Sequence, residues 1–259
     1  GSNMPGVSCM KNLFTLLFAL CWLTTAFTQS TDTRLYELRI YHTENGRMNA
    51  LIQRFTNHTT KLFEKHGMTN EGYWLDMADS NKLLYIVSFP NLAARDSAWK
   101  AFIADPEWKK VAADSEKDGK ILKSIESIYL TKTDFSTNIK HRKKRAVKKH
   151  PYVFELRTYY CLPDRLPALE NRFRNHTMRL FEKHGMTNLA YWTQDGTDDM
   201  LIYMLAHKSK EAGLASFKSF RDDPDWIAAR TASEKLGNGS ITLTVQSEYM
   251  IPTDFSTWK

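Results

Sequence analysis

The sequence predicts an α+β fold: two tandem domains, each a four-stranded antiparallel sheet with helices on one face. Two observations carry this. Residues 62–70 read LFEKHGMTN, and the same nine residues return at 180–188, 118 positions later. That period is too long for a solenoid repeat and fits two whole domains within 259 residues. Each copy also shows the same succession of two-residue and 3.6-residue hydrophobic periods, in the order β-α-β-β-α-α-β. This is the ferredoxin-like split-βαβ order with one extra helix before the last strand.

The duplication extends through both copies. YELRIY at 36–41 answers FELRTY at 154–159, Asn57-His58-Thr59 answers Asn175-His176-Thr177, and Tyr73-Trp74 answers Tyr191-Trp192. Asp105-Pro106-Glu107-Trp108 answers Asp223-Pro224-Asp225-Trp226. The closing Thr-Asp-Phe-Ser-Thr runs, at 133–137 and 253–257, stand 120 apart, which places a two-residue insertion around Gly237-Asn238-Gly239. The expected domains are 34–137 and 152–257. A basic linker, 138–151, joins them, and a targeting segment, 1–30, precedes them.

Within a copy the elements follow from local chemistry. Residues 36–41 alternate apolar and polar side chains, as a half-buried strand does. A long helix opens after Gly46, with Met48, Leu51, Ile52, Phe55, Thr59, Leu62, Phe63 and His66 on one stripe. The second copy keeps that stripe with Leu166, Leu169, Phe173, Thr177, Leu180, Phe181 and His184. His66-Gly67-Met68 is a helix stop: histidine favours the negative end of the dipole, glycine takes the left-handed turn, and Met68 folds back. Strands are expected over 69–77 and 82–89, around a turn at Ala78-Asp79-Ser80-Asn81. Asn91 caps a second helix carrying Trp99, Phe102 and Ile103. Asp105-Pro106 starts a third, because Asp caps and Pro fits the first helical position. Residues 122–130 form the last strand.

Hydrophobic content of 42% and charged content of 25% are ordinary for a globular protein. The net charge of +7 is local. Lys140, Arg142, Lys143, Lys144, Arg145, Lys148 and Lys149 lie in the linker and Lys11 in the leader. Subtracting these eight leaves −1, so neither domain is basic and nucleic-acid binding is not expected. The tryptophans are also not interleaved with basic residues, as single-strand binding requires. Lys11 followed by the apolar run 13–23 and Ala26-Phe27-Thr28 reads as a secretory signal, cleaved near residue 28, with Met10 a credible start. The run is too short to span a bilayer, so no membrane span is expected after cleavage. The location implied is secreted or periplasmic. Cleavage leaves only Cys161, so no internal disulfide is expected.

A sheet covered by helices on one face must meet water or another sheet on the other. The uncovered face is read here as Glu37, Arg39 and Tyr41, with Ser127 and Tyr129 from the last strand. Its second-copy equivalents are Glu155, Arg157, Tyr159, Ser247 and Tyr249. Packing the two faces together makes an intrachain pseudo-dimeric α+β barrel with a polar interior. That interior is either an ion network or a pocket for a small polar or anionic ligand. The candidate ligand-binding residues are Glu37, Arg39, Tyr41, Trp74 and His66, with Glu155, Arg157, Tyr159, Trp192 and His184. No spacing suited to a metal site occurs, nor a phosphate loop or nucleophile elbow, so neither metal nor cofactor is expected.

The motifs Tyr36-Glu37-Leu38-Arg39, Phe63-Glu64-Lys65-His66-Gly67-Met68, Tyr73-Trp74 and Asp223-Pro224-Asp225-Trp226, in this order and duplicated, resemble the NIPSNAP family. The resemblance covers 35–135 and 153–255. It implies tandem NIPSNAP domains with the dimeric α+β-barrel fold. Animal members are mitochondrial, and are associated with vesicle handling and damage signalling rather than established catalysis. A mitochondrial location is therefore the alternative to export. The expected function is a non-catalytic small-ligand-binding or protein-interaction protein using the barrel interior. The alternative is a cofactor-independent, monooxygenase- or lyase-like enzyme on the same fold. A homodimer is compatible with either.

Overall fold

The computed structural model describes residues 32–137 and 152–259. The expected targeting segment and basic linker lie outside the described residues. The first repeat contains β1 (Leu35–Thr43), α1 (Met48–Arg54), a π-helical turn (Phe55–Thr59) and α2 (Thr60–Lys65), followed by β2 (Thr69–Asp76) and β3 (Lys82–Phe89). It closes with α3 (Leu92–Ala104), α4 (Pro106–Ser115) and β4 (Leu122–Lys132). The second repeat answers it with β5 (Val153–Cys161), α5 (Leu166–Arg172), a π-turn (Phe173–Thr177), α6 (Met178–Lys183), β6 (Thr187–Gln194) and β7 (Met200–His207). It ends with α7 (Lys210–Arg221), α8 (Pro224–Leu236) and β8 (Thr242–Pro252).

The punctuation read in the sequence operates as expected. The Asn91 side chain accepts from Ala94 N at 2.8 Å, and Asp105 accepts from Glu107 N at 2.8 Å. Gly67 lies at φ +83. Its N–H donates to Glu64 O and that of Met68 to Phe63 O, a Schellman closure. The duplicated nine-residue stretch is therefore structural throughout. Leu62 and Phe63 enter the core. Asn70 donates to Glu64 at 3.1 Å and to Thr60 O at 3.0 Å, while Lys65 and His66 reach Asp105 at 2.8 and 2.7 Å.

All strand pairs are antiparallel and the sheet closes in the order β1-β3-β2-β8-β5-β7-β6-β4. The repeats join where the last strand of each pairs with the second strand of the other. Trp74 faces Pro252 on one side, and Lys132 faces Trp192 on the other. The tails cross as well. Phe255 lies 5.9 Å from Phe55 with planes 2° apart, inside the first repeat's helical core. Phe135 is buried in the second repeat's core, 5.6 Å from Tyr191. Ser256 Oγ accepts from Tyr73 N at 3.0 Å, and Ser136 Oγ accepts from Tyr191 N at 2.9 Å. Among the described residues, no helix is long and apolar enough to cross a membrane.

The two faces of β1 are the reverse of the sequence expectation. Tyr36, Leu38 and Ile40 point into the barrel, where they pack with Trp74, Leu84, Phe154, Leu156, Trp192 and Met204. Glu37, Arg39 and Tyr41, with Glu155, Arg157 and Tyr159, point outward beneath the helices. The same holds for Ser127 and Ser247, which touch the two glutamates. The physical reason is the supply of partners. Eight strands seal the barrel on every side, so a carboxylate inside would meet only other strands. The helical layer brings arginine, histidine and indole donors that make burial of a charge tolerable.

Candidate functional site

Beneath α3, the carboxylate of Glu37 is fully buried. It accepts five hydrogen bonds: from Arg39 Nη1 at 2.7 Å, Arg95 Nε and Nη2 at 2.9 and 3.0 Å, Trp99 Nε1 at 2.9 Å and Ser127 Oγ at 2.7 Å. Burial pushes its pKa up, but the bonds from Arg95 and Ser127 and the Arg39 charge outweigh it and hold it at about 2. Five donors saturate the lone pairs of a carboxylate, so this group has none left to take a substrate proton. Glu37 is a keystone between sheet and helix, not a general base.

The second repeat solves the same problem with different residues. The positions of Arg95 and Trp99 hold Gly213 and Phe217, and the position of Phe89 holds His207. Glu155 accepts from Arg157 Nη1 and Ser247 Oγ, both at 2.7 Å, and pairs with His207 Nε2 at 2.7 Å. Burial raises its pKa, and His207, Arg157 and Ser247 more than offset that, so it lies below the usual carboxylate value. Gly213 makes room for the imidazole: a Cβ there would stand 3.0 Å from the His207 ring. Three positions have changed together while the buried charge stayed paired.

A second polar group lies beside each glutamate. Tyr85 donates to Tyr41 at 2.8 Å, and the Arg39 guanidinium sits 5.5 Å from the Tyr41 ring and 4.3 Å from Trp99. Tyr203 donates to Tyr159 at 3.2 Å and accepts from Arg157 Nε at 2.9 Å. Arg54 and Arg172 end α1 and α5 at the π-turns, each 6% exposed. Their guanidinia lie 5.3 and 5.0 Å from the rings of Trp108 and Trp226.

The structure separates the remaining candidates. Trp74 and Trp192 do line the barrel, yet among the described residues their indole N–H groups, and that of Trp258, find no acceptor. His66 and His184 stand apart from the glutamates. They pair with Asp105 and Asp223 at 2.7 and 2.6 Å, and so tie α2 and α6 to the starts of α4 and α8. Cys161 is buried, which pushes its thiol up to about 11 and leaves no thiolate at neutral pH. Among the described residues, no group of three or more His, Cys, Asp or Glu side chains is placed to hold a metal ion. Sequence reasoning missed Arg54, Arg95, His207 and Arg172. For Arg54 and Arg172 a signal was present: Arg-Phe-x-Asn-His-Thr recurs unchanged at both π-turns.

These features define a class: an α+β barrel of the dimeric type, closed within one chain by two homologous halves. The NIPSNAP family profile matches residues 36–137 and 154–257, and the chain belongs to the NIPSNAP family. No curated protein matches it. Among solved structures it is similar to a candidate monooxygenase from Lactobacillus acidophilus, with 11% identity and a TM-score of 0.56 over 85% of this chain and 94% of that one. A candidate monooxygenase from Fusobacterium nucleatum gives 11% identity and a TM-score of 0.58 over 85% and 92%. A NIPSNAP-like domain protein from Burkholderia xenovorans covers 42% of this chain and 93% of its own, at 18% identity and a TM-score of 0.38. The two full-length likenesses concern the fold alone.

Proposed function

We propose that this chain is a non-catalytic binding protein whose sites lie between each sheet and its helices, one per repeat, rather than in the shared barrel. The saturation of Glu37 carries this reading. The best-placed acid of the first repeat is occupied by five donors. In the second, Glu155 is held by Arg157, Ser247 and His207. Cofactor-independent oxygenation or lyase chemistry needs a group that can remove a substrate proton, and neither carboxylate is free to do so. The barrel interior is lined mostly by tryptophan, tyrosine, phenylalanine and aliphatic side chains, with Ser88 bonded to Glu71 at 2.6 Å, and it holds no cationic group of the arginine kind among these lining residues. Guanidinium and phenol groups beneath the helices offer a polar ligand more.

The test is native mass spectrometry of the chain purified from its source. A small molecule retained at up to two copies per chain and released unchanged supports a binding role. Conversion of that molecule during incubation overturns it in favour of the enzyme reading. We also propose export, which N-terminal sequencing of the mature protein tests: a start near Gln29 supports it, and retention of residues 11–28 contradicts it.

A further inference from the structure

Arg54 is a cation buried to 6% exposure, and its nearest carboxylate lies at the limit of ion-pair distance. Its Nη1 donates to Ser115 Oγ at 3.4 Å and lies 4.0 Å from Glu116, while its Nε has no partner among the described residues. Arg172 repeats the arrangement more starkly. Its Nη1 donates to Ser233 Oγ at 3.2 Å, and among the described residues its Nε has no partner and it forms no ion pair. Burial pulls both guanidinia below the usual arginine value. A buried charge whose nearest carboxylate stands at 4.0 Å or beyond is costly, and here it is kept at equivalent positions of the two copies. The Arg95 and Trp99 positions changed; this one did not.

The backbone singles out the same two positions. Each arginine is the last α-helical residue before a π-turn, with Thr59 Oγ1 donating to Arg54 O and Thr177 Oγ1 to Arg172 O, both at 3.2 Å. An extra residue in a helical turn costs hydrogen-bond geometry and is found often where a side chain must be re-aimed. Around Arg54 stand Glu116, the Trp108 ring and Tyr41, whose hydroxyl accepts from Tyr85. Around Arg172 stand Tyr159, Glu234 and the Trp226 ring.

We propose that Arg54 with Tyr41, and Arg172 with Tyr159, form two equivalent sites for a small organic carboxylate carrying a flat apolar body. The guanidinium fork fits a carboxylate in two parallel bonds. A monoanion places less negative charge beside Glu116 and Glu234 than a phosphate dianion would. The rings of Trp108 and Trp226, packed against Phe102 and Phe220 at 4.5 Å, give the apolar surroundings for the rest of the molecule. This deepens the binding reading proposed above and rests on it.

Titration calorimetry of the full chain with benzoate, acetate and inorganic phosphate tests the proposal, using Arg54→Met, Arg172→Met and the double variant. Circular dichroism melts check that each variant folds. The expected result is benzoate bound at two sites, at least tenfold more tightly than acetate or phosphate. Each single variant should keep one site and the double variant none, with melting midpoints unchanged or raised. Undiminished benzoate binding in the double variant overturns the proposal, as do a preference for phosphate and an absence of benzoate binding. If the single variants melt well below the native chain, the arginines are structural and the proposal falls. A neutral molecule retained from the source would sink the carboxylate assignment while leaving the binding reading intact.

Discussion

Glu37 and Arg54 are both buried charges, and their surroundings give them opposite consequences. Glu37 is held at about 2, below its ordinary 4.5, so its ionisation contributes about 3 kcal/mol to stability. The folded pKa is depressed, so this contribution is complete above the unfolded value and is lost as pH falls from about 5 towards 2. Glu37→Gln should remove that acid limb of the stability profile and cost about 3 kcal/mol or more, since it strands Arg39 and Arg95. Urea unfolding between pH 3 and 7 measures both effects. In the second repeat, His207→Phe leaves Glu155 without its third partner, and a loss of about 2 kcal/mol is expected. Adding Gly213→Arg and Phe217→Trp rebuilds the first repeat's donor set and should recover most of it. If the triple variant is no more stable than His207→Phe, the two networks are not equivalent solutions. These networks were half legible in the sequence. Glu37, Arg39 and Ser127 were assigned to one face, but Arg95 and His207 come from distant elements, and no spacing connects them.

Helix boundaries were legible because they depend on neighbours in the chain. Asn91, Asp105 and Gly67 each act within a few residues of themselves. Asp105 also receives Lys65 and His66 from α2, so one side chain caps α4 and anchors the preceding helix. Asp105→Ala should lower stability by removing the cap and these partners, with faster hydrogen exchange at both α4 and the end of α2. Exchange changes confined to α4 would show that the anchor carries no weight. The π-turns were not legible: Phe55, Thr59 and Leu62 satisfy a 3.6-residue stripe whether or not a residue is inserted among them. The inward face of β1 is not legible for a related reason. Alternation separates Tyr36, Leu38 and Ile40 from Glu37 and Arg39, but it does not say which set faces the helices.

At the scale of the whole molecule, the duplication announced two domains but not how tightly they interlock. Each repeat lends its last strand to the other's sheet and a phenylalanine to the other's helical core. Neither half should therefore be a folded monomer. Segments 32–137 and 152–259 produced separately should be unfolded or self-paired, and mixing them should restore a one-to-one barrel in sedimentation equilibrium. A native-like monomer of either half would contradict this. Phe255→Ala truncates a side chain of the second repeat, yet its loss of about 3 kcal/mol should appear as faster exchange in α1 and β2 of the first.

Urea unfolding of Glu37→Gln beside Arg54→Met is the most direct test of the division between structural and binding charges. The expected result is a loss of about 3 kcal/mol for Glu37→Gln and native stability or better for Arg54→Met. Comparable losses in both would make Arg54 part of the scaffold and leave the sheet–helix layers without a binding charge.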